Sequence, residues 1–146
     1  MSDKEGFSGD INSAMKLLRE GNFTCVLCRG DTLHTSTLHG VAPMVEYLNS
    51  GTDLKGFSAA DKISGKAAAL LFVLAGVKEV YAEVISEPAV EALSRFDIRA
   101  SYGAITSKIL NRAGTDSCPM EKAVEKVDDP QTAFEKIKET IAAMRK

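Results

Sequence analysis

The chain of 146 residues has the size of one ordinary domain and is long enough to bury a core without disulfides or metal ions. Apolar residues make up 45% and charged residues 26%, which is typical of a globular protein and excludes a disordered one. With 18 basic and 20 acidic residues the net charge is -2, which argues against nucleic acid or an anionic membrane as a partner. The polar first ten residues lack the apolar segment of a signal peptide, and we expect a cytoplasmic protein with reduced cysteines.

Hydrophobic periodicity predicts helices and strands that alternate along most of the chain. In chain order, the first predicted elements are a helix at 10–20, two strands at 23–29 and 32–37 that form a hairpin, a short helix at 43–49 and a brief strand at 57–60. A helix at 62–75, a strand at 77–85, a helix at 86–95 and a strand at 98–105 follow. The last two predicted elements are helices, at 117–127 and from 129 onwards. This order predicts an α/β fold, a three-layer α/β/α sandwich on a mixed sheet with added C-terminal helices. We expect a single domain over 1–146, in which the N-terminal helix (1–20) and the C-terminal helix (128–146) are appendages.

Two lysines stand at the start of the predicted helix at 62–75. Asp61 is a suitable N-cap, and Lys62 and Lys66, four residues apart, are predicted to share one helix face. Gly65-Lys66 is similar to part of a phosphate-binding loop, but Ala60 stands where a Walker A motif needs glycine. Positive charge at a helix start is unfavourable by about 0.3–1 kcal/mol per group, and an anionic ligand would offset it. The alternative is that the lysines form ordinary ion pairs within the chain.

The Cys25-x-x-Cys28 pair has the spacing of a redox or metal motif. A redox pair of this kind normally opens a helix, whereas here the two cysteines fall in a predicted strand, where side chains three residues apart point to opposite faces. His34 and His39 would complete four zinc ligands, but they follow too closely for a common zinc finger. We therefore predict two core thiols, no metal site and no cofactor.

A second candidate site precedes the helix that is predicted to begin near Pro119. Cys118 lies at or next to its N-cap, where the helix dipole favours a reactive thiolate. Glu121 in the first turn opposes that effect, so a structural role at the helix start is the alternative. The polar loop before it offers Asn111 and Arg112 as contacts for an anion, or is a plain surface loop.

The stretch 80–93 resembles the strand-then-helix segment of the zinc-dependent cytidine deaminases. Glu87-Pro88 matches the start of their Glu-Pro-Cys-x-x-Cys motif, whereas Ala89 and Ala92 stand at the two cysteine positions. The His-x-Glu motif of those enzymes would fall on residues 65–67, which are Gly-Lys-Ala. The resemblance therefore implies a deaminase-like fold that lacks the ligands and the general acid/base of zinc-dependent deamination.

The chain from about 21 to 121 also looks like a small family of uncharacterised prokaryotic proteins with a cytidine-deaminase-like fold and no zinc site. Three segments carry this resemblance, at 60–71 (ADKISGKAAALL), 76–89 (GVKEVYAEVISEPA) and 111–121 (NRAGTDSCPME). It implies a fold more than an activity, since one fold supports many functions.

From the resemblance we expect a pocket where the starts of two central helices meet. Our first hypothesis is the metal-independent binding or modification of an anionic small molecule, for which a nucleotide-like compound is one candidate. Lys66 and Cys118 are the candidate catalytic residues, and the candidate ligand-binding residues are Asp61, Lys62, Gly65, Glu87, Asn111, Arg112 and Glu121. The alternative is a non-catalytic binding or oligomerisation module, with the strand at 98–105 as the edge on which a homodimer would form.

Overall fold

A computed structural model describes residues 9–111 and 113–145, and within them the chain forms six helices and five strands. The elements are α1 (Gly9–Glu20), β1 (Cys25–Arg29), β2 (Thr32–Ser36), α2 (Ala42–Asn49), β3 (Ser58–Ser64), α3 (Lys66–Ala75), β4 (Glu79–Ser86), α4 (Glu87–Arg95), β5 (Arg99–Thr106), α5 (Pro119–Val124) and α6 (Pro130–Met144). This order confirms the predicted alternation, with the last short helix ending at Val124 instead of near 127.

The five strands form one mixed sheet in the order β2-β1-β3-β4-β5. The strand β1 runs antiparallel to both of its neighbours, whereas β3, β4 and β5 are parallel. Parallel neighbours need crossover connections, and the helices α3 and α4 provide them. The α/β class and the mixed sheet are therefore as predicted.

Helices pack on both faces of this sheet. On one face α1 buries a small cluster against alternate strand residues; its members are Ile11, Ala14, Leu18, Val26, Cys28, Ala60 and Tyr81. On the opposite face, neighbouring strand residues such as Ala59 and Val80 join a larger core with residues of α2 to α6. The last helix contributes Ala133, Phe134 and Ile137 to that core. The inner strands β1, β3 and β4 thus place side chains in two separate apolar layers.

The two N-terminal cysteines are free and buried on opposite faces of β1. Cys25 belongs to the larger core and Cys28 to the cluster beneath α1. Both are core thiols, as predicted from their spacing in a strand. Burial raises the pKa of each thiol, with smaller contributions from the charge of Asp61 at Cys25 and of Asp10 and Asp31 at Cys28. Both sulfurs are therefore held in the protonated form that is poorly nucleophilic.

The central helix begins later than its sequence indicates. The strand β3 extends over Ser58–Ser64, so Asp61 and Lys62 are strand residues, and α3 begins at Lys66 with Gly65 as its N-cap. The predictions that Asp61 caps this helix and that Lys62 shares a helix face with Lys66 are wrong. The reason is that β3 is paired on both sides, with β1 and with β4, and this pairing outweighs the local preference of the segment.

Among residues 9–111 and 113–145, no helix is both long enough and apolar enough to cross a membrane.

Candidate functional site

The start of α3 is bound by a carboxylate of the same chain. Glu121 on α5 accepts one hydrogen bond from the backbone N–H of Lys66 at 2.8 Å and a second from that of Ala67 at 2.9 Å, each through a different oxygen. A carboxylate at this position satisfies two of the N–H groups that a helix start leaves without partners, and it also complements the helix dipole. Negative charge at this helix start is therefore supplied by Glu121 of the same chain.

Gly65 makes room for this carboxylate. A Cβ atom at position 65 would lie 2.5 Å from the carboxyl carbon of Glu121 and 2.5–2.6 Å from its two oxygens. The backbone of Gly65 is extended, with φ -97° and ψ -174°, a conformation that residues other than glycine also adopt. The requirement for glycine here is thus one of space: any side chain would displace Glu121 from the start of α3.

The side chain of Lys66 is paired with the segment between α5 and α6. Its ammonium lies 3.2 Å from Oδ1 of Asp128 and donates to the carbonyl oxygen of Glu125, also at 3.2 Å. Arg95, in the last turn of α4, contacts the same Oδ1 at 3.0 Å. Hydrogen bonds from Lys66 and Arg95 hold the pKa of Asp128 below its ordinary value. The lysine is therefore ion-paired within the chain, to a carboxylate that no local sequence pattern indicates.

Asp61 lies beneath this helix start as a buried carboxyl group. It is 6% exposed, sits opposite Cys25 in the pairing of β3 with β1, and accepts a hydrogen bond from the hydroxyl of Ser64 at 2.7 Å. Burial raises the pKa of Asp61 to about 7, while the hydrogen bonds from Ser64 and from the backbone of Lys62 oppose that rise. Near neutral pH this group is consequently divided between a neutral and a charged form.

The remaining predicted residues that the structure describes lie at several places in the fold. Cys118 is the N-cap of α5 but its side chain makes no capping hydrogen bond. The amide of Asn111 bonds to Thr115 within its own loop, at 3.1 and 3.3 Å. Glu87 lines an open groove on the outer side of α4. Arg112 lies outside the described residues.

The structure thus joins Gly65, Lys66 and Glu121 at one helix start, with Asp61 in the strand that leads into that helix. Sequence reasoning did not identify two of the residues that bind the predicted ones: Asp128, which pairs with Lys66, and Ser64, which donates to Asp61. Asp128 stands 62 positions after Lys66, and no local pattern connects residues so far apart. Ser64 follows Asp61 by three positions, a spacing that is typical of a helix start and that here belongs to a hydrogen bond within a strand.

The side chains at the two helix starts do not fit a zinc ion. The deaminase resemblance would place ligands at positions 65, 89 and 92, where this chain has a glycine and two alanines, none of which has a donor atom in its side chain. Within the described ranges, no group of three or more His, Cys, Asp and Glu side chains is placed to hold a metal ion.

Fold and site together define an α/β protein with a mixed five-stranded sheet, whose central helix is capped by a carboxylate from a later helix. The chain belongs to the family described as a domain of unknown function (DUF1893), whose profile matches residues 13–141. It is similar to the crystal structure of the DUF1893 family protein TM1506 from Thermotoga maritima, with 28% identity and a TM-score of 0.80 over 98% of this chain and 99% of that one. A comparison with curated proteins finds no match. The predicted membership of an uncharacterised family is confirmed.

Proposed function

We propose that this protein is a non-catalytic binding and assembly module that uses a cytidine-deaminase-like fold. In support of the fold, α3 follows β3 directly and α4 follows β4 directly, so both helices start at the carboxyl edge of the parallel strands. Open α/β sheets bind their ligands at that edge. The Glu87-Pro88 pair opens α4 immediately after the buried strand β4, in agreement with the deaminase motif.

The observation that carries the proposal is the contact of Glu121 with the start of α3. In an enzyme that uses this helix start, the N–H groups of Lys66 and Ala67 would be open to a ligand or to a developing negative charge. Here both donate to Glu121 at 2.8 and 2.9 Å. The ammonium of Lys66 is engaged as well, by Asp128. An ammonium that donates to these oxygens has no free electron pair, so in this arrangement Lys66 is poorly suited to act as a nucleophile or a base.

The second candidate function is the binding of an anionic, nucleotide-like small molecule. It is favoured by the two cations, Lys66 and Arg95, that converge on a single oxygen of Asp128. Asp128 has a side chain that is 64% exposed, so a phosphate group could take its place between the same two cations. The two candidate functions therefore differ in whether a free anion can replace the carboxylates of Asp128 and Glu121 at the start of α3.

A thermal-shift measurement distinguishes them. The probes are inorganic phosphate and the mono- and triphosphates of adenosine and cytidine, tested with the parent protein, with Lys66→Ala and with Lys78→Ala. Lys78 is a suitable control because its ion pair, with Asp10, is made at another surface. We expect no probe to raise Tm by more than about 1 °C, since an anion at millimolar Kd stabilises little at millimolar concentration. A rise that Lys66→Ala abolishes and Lys78→Ala keeps would contradict the module proposal and establish the anion site.

Metal content and deaminase activity are measured on the same preparations. We expect less than stoichiometric zinc by elemental analysis and no deamination of cytidine, because positions 65, 89 and 92 carry no ligand atoms. One zinc ion per chain would refute the assignment of the helix starts.

A further inference from the structure

We infer that β5 and the outer side of α4 form the interface of a two-fold homodimer, an inference that rests on the proposed function and names its partner as a second copy of this chain. The strand β5 (Arg99–Thr106) forms one edge of the sheet. It has eight residues, more than the average strand, and its residues 102–105 are all exposed. Tyr102 is 44% and Ile105 is 47% exposed.

Natural proteins protect such an edge by shortening it, by placing Pro or Lys on it, or by covering it. The sequence of β5, RASYGAIT, has neither proline nor lysine, and its single charge, Arg99, stands at the first position. The opposite edge strand, β2, has five residues, and one of its carbonyl groups, that of Thr35, accepts a hydrogen bond from Tyr47 on α2. The unprotected edge of the sheet is thus β5, and a strand from another molecule would add to the sheet there.

A groove beside this edge gives the second copy a place to pack. It has a volume of about 590 Å³ and lies between α4 and β5, where Val90 and Ile105 provide apolar surface. Pairing β5 antiparallel with β5 of a second copy places the two-fold axis normal to the sheet, so the two α4 helices lie on the same face, antiparallel to each other. Each groove then faces the α4 helix of the other copy.

The charges along α4 are complementary in that arrangement. Glu87, Glu91 and Arg95 follow one another at four-residue spacing and line the groove, with a negative charge at the start of the helix, a second in its middle and a positive charge at its end. Antiparallel helices bring the acidic start of one copy opposite the basic end of the other, whereas parallel helices would bring like charges together. Arg95 contacts Asp128 through Nη1, and the other donors of its guanidinium remain suitable for a carboxylate of the second copy.

The test is the mass of the protein in solution, measured by sedimentation for the parent chain, Ala104→Lys and Leu33→Lys. Ala104 is exposed in the C-terminal half of β5, so its replacement places a lysine of each copy in the proposed strand pair. Leu33 is 47% exposed on β2 and receives the same change on the opposite edge. We expect the parent and Leu33→Lys to sediment at twice the chain mass of 15.7 kDa and Ala104→Lys to dissociate with a Kd at least tenfold higher. A parent protein that is monomeric at 100 µM, or a dimer that Ala104→Lys leaves unchanged, would overturn the inference.

A second measurement does not depend on the folding of the edge variant. Glu91→Arg changes a charge at the groove, and Glu46→Arg makes the same change on the exposed side of α2. We expect Glu91→Arg alone to raise the dimer Kd several-fold, and hydrogen exchange of β5 amides in the parent protein to slow as its concentration rises. Exchange in β5 that is independent of concentration would refute the interface. A monomer that also binds no anion leaves the module proposal standing and removes only this interface.

Discussion

Replacement of the buried Asp61 by asparagine tests the electrostatics beneath the central helix. The carboxyl group is 6% exposed, and burial raises its pKa to about 7 from an ordinary value of 3.8. An asparagine side chain has nearly the same shape, and its amide oxygen would still accept the hydrogen bond from Ser64. The substitution therefore removes the charge of the ionised form and changes the packing very little.

The sign of the pH effect follows from proton binding. Between pH 3.8 and about 7 the folded protein holds the Asp61 proton while the unfolded chain has lost it, so this group makes the protein less stable as pH rises. One pKa unit corresponds to about 1.36 kcal/mol, so the whole shift is worth at most about 4 kcal/mol. Over the interval from pH 5 to pH 8 the same relation gives roughly 2–3 kcal/mol. The stability of Asp61→Asn relative to the parent protein should therefore increase by that amount over this interval.

The assay is urea unfolding followed by circular dichroism, because the chain has no tryptophan for fluorescence. Protein concentration is held constant, since self-association would contribute to stability. The matched control is Asp53→Asn, which changes an exposed aspartate that accepts a hydrogen bond from the backbone of Lys55. A free-energy difference between Asp61→Asn and the parent that is the same at pH 5 and pH 8 would refute the reasoning, whatever its size.

Two further predictions concern the start of α3. Glu121→Ala should lower the free energy of unfolding by about 1–3 kcal/mol, because two N–H groups lose a charged acceptor, whereas Glu125→Ala on the same segment should cost less than about 0.5 kcal/mol. Gly65→Ala should cost a similar amount by displacing the carboxylate, and in the Glu121→Ala background it should cost little, since the clash is with Glu121 itself. Additive losses in urea unfolding of the double variant would contradict the steric explanation.

The helix ends that local chemistry determines were predictable from the sequence. Ser86 caps α4 by accepting a hydrogen bond from Ala89 N, and Asp129 caps α6 in the same way from Thr132 N. Gly76 ends α3 with a φ of 83°, in the left-handed region that favours glycine. Each of these signals acts over two or three residues, so no tertiary information is needed to recognise it.

The start of α3 was not predictable in the same way, because residues far along the chain determine it. The segment from Asp61 to Lys66 reads equally well as a capped helix, but β1 and β4 hold its first four residues in the sheet. The carboxylate that caps the helix comes from Glu121, 55 positions after Lys66. The sequence did indicate that positive charge at this helix start needs a negative partner, and only the identity of that partner depended on the fold.

The two carboxylates that meet Lys66 also explain why the charge at this helix start is compatible with a stable fold. Glu121 accepts hydrogen bonds from the backbone N–H groups of Lys66 and Ala67 at 2.8 and 2.9 Å and so complements the helix dipole. Asp128 pairs with the Lys66 ammonium at 3.2 Å. A free anion would have to displace a carboxylate that is part of the same chain and for which Gly65 leaves space, so its binding would begin with the loss of two charge-assisted hydrogen bonds. The same contacts connect α5 and the segment after it to two other helices. Glu121 and Asp128 bind the start of α3, and Asp128 also binds Arg95 at the end of α4. In this protein the helix start therefore connects α3 and α4 to the segment around α5, and the surface that we propose for recognition is the exposed edge at β5.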